Sequence, residues 1–106
     1  MASIARNDAD YVIVSGAVFR AIIDLAREWS AIDGDVSAFL DSAYSVKAIT
    51  LDLLEPSMRN RVKAAITYAA EQAATGERSS RSAYDAARGD VLAQGAERIC
   101  ALLDAP

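Results

Sequence analysis

Apolar residues in the first third of the chain recur at steps of three and four. Tyr11, Val14, Val18, Ile22, Leu25, Trp29 and Ile32 keep this rhythm from about Asp8 to Ile32, the periodicity of an amphipathic helix. Val12, Phe19 and Ile23 widen the stripe beyond the ~100° of an ordinary surface helix, so a central position is expected. Arg20, Asp24, Arg27 and Glu28 take the opposite side. The same stretch supports a second reading. In it, Tyr11-Val12-Ile13-Val14 forms a short strand ended by Ser15-Gly16, and Ser15 caps a shorter helix.

Breaks at Asp33-Gly34-Asp35, Glu55-Pro56-Ser57 and Thr75-Gly76 through Ser80 separate three further segments of helical length. The second opens with Asp35 as N-cap and runs to Leu54. Val36, Phe39, Leu40, Ala43, Val46, Ile49, Leu53 and Leu54 form its stripe, and Lys47 interrupts it. Ile49, Leu51 and Leu53 also alternate with Thr50 and Asp52 as in a strand. The third runs from Pro56, a residue suited to a helix start, to Thr75, with Gly76 as a left-handed cap. Its stripe (Met58, Val62, Ala65, Ile66, Ala69, Ala73) is small and allows close approach of a partner helix. The fourth runs from Ser80 or Ser82 to Asp104 along Tyr84, Ala87, Val91, Leu92, Gly95, Ile99, Leu102 and Leu103. Gly95 on this stripe points to close backbone contact, since glycine there costs the helix ~1 kcal/mol. Short connections predict an all-α, four-helix up-and-down bundle of one domain, 1–106. The alternative is a mostly helical fold with a two-stranded element from 11–14 and 48–53.

Composition narrows the chemistry. The chain has 106 residues, 53% of them hydrophobic, with no histidine and one cysteine. That excludes a histidine triad, an imidazole metal site, a zinc finger and an internal disulfide. Residues 1–10 lack the apolar core of a signal peptide, and no apolar run reaches the ~20 residues of a membrane span. A reduced, cytoplasmic protein without cofactor is expected.

Charge is unevenly spread. The net charge is −4, but residues 1–56 hold nine acids and four bases, whereas 57–106 hold six acids and seven bases. Asp33-Gly34-Asp35-Val36-Ser37 resembles half a calcium loop, yet the matching register puts Trp29, Ala31 and Leu40 where carboxylates belong. It reads as a turn and a cap. Asp24 and Glu28, one turn apart, have Arg20 and Arg27 beside them and read as solvated ion pairs. Cys100 lacks a cationic neighbour and reads as an inert thiol. Lys47 reads as a snorkelling side chain or as the partner of a carboxylate on another element.

Arg59, Arg61 and Lys63 break two local rules together. They sit in the first turns of a helix, where the macrodipole disfavours cations, and Arg59 and Lys63 form a like-charge pair one turn apart. Either Asp52 and Glu55 neutralise them or an external anion does. Arg78 and Arg81, in a serine-rich loop open to phosphorylation, extend the patch. The expectation is a non-enzymatic helical module that binds another protein as adaptor, regulator or inhibitor, the immunity or anti-defence type included, or that pairs with a second copy. Ile13, projecting from the polar side of the first segment, and Lys47 join Arg59, Arg61, Lys63, Arg78 and Arg81 as candidate partner-binding residues. A nucleic-acid-associated regulator using the basic patch is the alternative. Two others are an acidic face around Asp41 and Asp52 mimicking phosphates, and a small-molecule pocket among Tyr84, Trp29 and Phe39. Small-residue stripes of this kind occur in many unrelated bundles and name no family.

Overall fold

The computed structural model describes residues 2–7, 9–29, 32–75 and 89–104. Strands β1 (Ala2–Ala5) and β2 (Tyr11–Val14) lead into helix α1 (Gly16–Arg27). Helix α2 (Gly34–Val46), strand β3 (Ala48–Thr50) and a 3₁₀ turn (Leu51–Leu53) follow, then helices α3 (Pro56–Thr75) and α4 (Gly89–Asp104). The strands form one mixed sheet in the order β2-β1-β3, β1 running antiparallel to β2 and parallel to β3. The expected all-α helical bundle is therefore corrected to an α/β arrangement. The two-stranded alternative is corrected too. Residues 11–14 and 48–50 are strands, but each pairs with β1 rather than with the other, and 51–53 coil into the 3₁₀ turn. Gly76, Arg78, Ser80, Arg81, Ser82 and Tyr84 lie outside the described residues, as does the start expected for the fourth helix.

β1 explains the correction. Ala2-Ser3-Ile4-Ala5 holds one large apolar residue, too little to show a period, yet it supplies the central strand. Its hydrogen bonds alternate between neighbours. Ser3 N donates to Lys47 O at 3.1 Å on the β3 side, whereas Arg6 N donates to Asp10 O at 2.9 Å on the β2 side. Side chains alternate with the same period. Ala2, Ile4, Val14 and Ile49 are buried, while Ser3, Ala5, Tyr11 and Ile13 face away from the core. With β1 to pair against, the aromatic and β-branched Tyr11–Val14 run is better satisfied as a strand than as the first turn of a helix. Helix α1 then starts at Gly16, eight residues later than the helical stripe suggests, capped by Ser15, whose Oγ accepts the Val18 N–H at 3.2 Å.

The second segment is also shorter than expected. Asp33, not Asp35, is its N-cap, its Oδ1 accepting the Val36 N–H at 2.9 Å. Lys47 ends α2 in the left-handed conformation, φ 63°, with its N–H bound to Ala43 O. That residue therefore does not interrupt a helical stripe; it terminates the helix and turns the chain into β3.

The helices cover one face of the sheet. Phe19, Ile22, Ile23 and Ala26 of α1 are fully buried among Leu40 of α2, Val62, Ala65, Ile66, Ala69 and Ala70 of α3, and Ala96 and Ile99 of α4. The small stripe of α3 packs against α4 and α1. At Gly95 a Cβ would lie 2.8 Å from Val18 Cγ1 and 3.7 Å from Val14 Cγ1, so α4 approaches α1 and β2 more closely than any side chain permits. Among the described residues no helix is long and apolar enough to cross a membrane.

Candidate functional site

The basic cluster of α3 is divided by the fold. Arg59 turns back over the 3₁₀ turn, donating from Nε to Leu51 O and from Nη2 to Leu54 O, both at 3.0 Å. Arg61 points the other way, pairing with Asp33 Oδ2 at 2.6 Å. Lys63 makes no ion pair or hydrogen bond among the described residues. Neither Asp52 nor Glu55 forms a salt bridge with the cluster, though the charge of Glu55 adds to those of Asp33 and Asp35 in raising Arg61. Two of the three charges are held internally, by carbonyl oxygens and by the α2 cap, which are not the carboxylates that proximity in sequence suggests.

Asp33 thereby serves two ends. The Val36 amide and then the Arg61 guanidinium hold its carboxyl below the usual 3.8, and the same ion pair raises Arg61. Arg27 similarly bridges Asp24 at 3.4 Å and Asp41 at 2.6 Å, and its guanidinium and that of Arg20 lie over the Tyr44 ring at 5.5 and 5.4 Å. The acidic face around Asp41 is thus partly neutralised. Burial pushes the Cys100 thiol up, and Glu71, Asp104 and Glu97 add to the effect, the reverse of what an activated thiolate needs. No group of three or more Cys, Asp or Glu side chains among the described residues is arranged to hold a metal ion.

Lys47 lies apart from the α3 cluster, its Nζ and methylenes beside Gly16 at the start of α1. Ile13 is 42% exposed and Tyr11 55% exposed, both on the sheet face that no helix covers among the described residues. Trp29 and Phe39 line different grooves among the described residues. Trp29 stacks on Tyr68 with ring centroids 5.3 Å apart, and Phe39 lines a separate groove with Leu53, Leu54 and Met58.

Two features were missed in the sequence. The first is a cleft of about 310 Å³ where Arg6 and Asn7, from the β1–β2 turn, meet Leu51, Asp52, Arg59, Asn60 and Lys63. The second is the outer edge of β2, which no strand pairs among the described residues. Both depend on β1, whose four residues carry no readable period. Comparison of the chain with protein-family models, curated proteins and solved structures gives no match.

Proposed function

We propose that the protein is a non-enzymatic interaction module that engages protein through the free edge of β2, with a second copy of itself as the primary partner. The observation that carries this reading is the edge strand itself. Natural edge strands are usually blunted by lysine, proline, a bulge or a covering loop. Tyr-Val-Ile-Val has no charged residue, proline or glycine, and two of its large side chains are exposed.

Hydrogen-bond alternation adds a geometric reason. Arg6 and Asp10 form a bonded pair, so by the antiparallel pattern Val12 and Val14 bond to β1 while Tyr11 and Ile13 direct their N–H and C=O groups outward. Two such edges pair antiparallel with Tyr11 of one copy opposite Ile13 of the other. Every outward group of both residues is then satisfied, and two aromatic–β-branched pairs form on one face. This arrangement has the two-fold self-complementarity of an isologous interface. Four residues per strand bury little, so the association is weak and concentration-dependent. The internal pairing of Arg61 and the carbonyl contacts of Arg59 favour a protein partner over nucleic acid. The lone thiol suits a reducing, cytoplasmic setting.

Sedimentation velocity across a wide concentration range tests this. A monomer–dimer equilibrium is expected for the wild type, and a monomer at all concentrations for Ile13→Lys, which places a charge opposite the Tyr11 ring of the second copy. A wild-type protein that stays monomeric, or a dimer unaffected by Ile13→Lys, overturns the edge-pairing reading.

A further inference from the structure

The cleft beside the start of α3 is independent of the β2 edge. Its polar lining is dominated by donors. Lys63 contributes an ammonium with no partner among the described residues. Arg59 is anchored through Nε and Nη2, which leaves its Nη1 without a partner among those residues. Asn7 uses its Oδ1 to accept the Ala9 and Asp10 amides at 2.8 and 3.0 Å, so its NH₂ group remains to donate. Arg6 brings a third cation from a distant part of the sequence, its Nη1 3.5 Å from Leu102 O and 3.9 Å from Asp10 Oδ2. Asn60 adds another amide, and Asp52 is the only carboxylate of the lining among the described residues.

Arg59 and Lys63 also stand at the end of α3 where the helix dipole works against them, and they repel one another. Arg6 lines the same cleft while paired with Asp10. A bound dianion reverses the sign of both effects. The volume falls at the small end of ligand sites, large enough for a phosphate with a modest organic body. A polymer needs cations in a track, and here Arg61 is turned away to Asp33. We infer that this cleft binds a phosphate group, free or carried by a small monoester, with Lys63, Arg59 and Arg6 supplying charge and Asn7 and Asn60 supplying amide donors.

The test is an NMR titration of ¹⁵N-labelled protein in low-salt buffer with inorganic phosphate, with adenosine monophosphate and with a short oligonucleotide. Saturable shifts confined to residues 6–7, 51–52 and 59–63 are expected. Lys63→Gln should weaken phosphate binding by at least about five-fold, the worth in water of one cation at contact distance from each unit of phosphate charge. Asp52→Asn should tighten it by a similar factor, and Arg61→Gln should leave it unchanged. The opposite directions at Lys63 and Asp52 separate charge recognition from loss of fold, because a folding defect weakens binding in both variants. Tighter binding of the nucleotide than of inorganic phosphate assigns a phosphorylated metabolite; equal binding assigns free phosphate; either supports the site. Absent shifts, shifts spread over Arg20 and Arg98 as well, or both variants moving affinity the same way overturn it. Preferential binding of the oligonucleotide, weakened by Arg61→Gln, overturns it in favour of nucleic acid.

Discussion

Single residues carry several of the tightest constraints in this protein. At Gly95 the methyl of alanine would meet Val18 Cγ1 at 2.8 Å, and a β-branched valine in a helix has little rotamer freedom with which to give way. Overpacking of this kind costs about 1–3 kcal/mol, more than the ~1 kcal/mol that alanine returns in helix propensity. Gly95→Ala is therefore expected to destabilise the fold by about 1 kcal/mol, read from urea denaturation midpoints at constant slope. Asp33 is a second such point, because it caps α2 and holds Arg61. Its folded-state pKa is depressed, so the stabilisation it gives is present above its ordinary value of 3.8 and fades as pH drops through the lower folded value. Asn retains the capping oxygen but not the charge. The melting-temperature difference between wild type and Asp33→Asn should be present at pH 7 and shrink steadily below about pH 4; a difference that stays constant with pH contradicts this. The close contact at Gly95 was legible from its place on an apolar stripe. The double role of Asp33 was not, because Arg61 lies 28 positions away and only the packing of α2 beside α3 joins them.

The elements are bounded by local chemistry more than by their apolar rhythm. Ser15 and Asp33 start α1 and α2 because each offers an oxygen to the amide three residues on. Lys47 stops α2 at a positive φ that costs a residue with a Cβ roughly 1 kcal/mol. Lys47→Gly is expected to stabilise the protein by about 0.5–1 kcal/mol in chemical denaturation, the loss of methylene contact with Gly16 taking back part of the gain. Equal or lower stability would show that the lysine stem matters more than the backbone. The helical stripes of α1, α3 and the end of α4 were readable over their central turns, where buried positions such as Ile22, Ile66 and Ile99 keep the 3.6-residue period. The ends were not. Tyr11 and Val14 fit both a helix with Val18 and a strand with Val12 and Ile13, and the choice between the two periods rests with β1.

For the molecule as a whole, the proposed pairing of the β2 edges extends to stability. A dimer that binds only folded chains makes the melting temperature rise with protein concentration. Wild type should show that rise in differential scanning calorimetry and Ile13→Lys should not, giving a thermodynamic check separate from sedimentation. The composition alone determined that this chain has a substantial apolar core and none of the chemistry that needs imidazole or a disulfide, because those properties depend on which residues are present. Local patterning likewise determined that helices cross its middle and end, since a helix is built from neighbours in sequence. The sheet, the division of Arg59, Arg61 and Lys63 between separate partners, and the cleft that gathers Arg6 with Lys63 were decided only by tertiary structure. Each joins groups distant along the chain or carried by segments too short to show a period, and their energies exist only once the helices have brought them together.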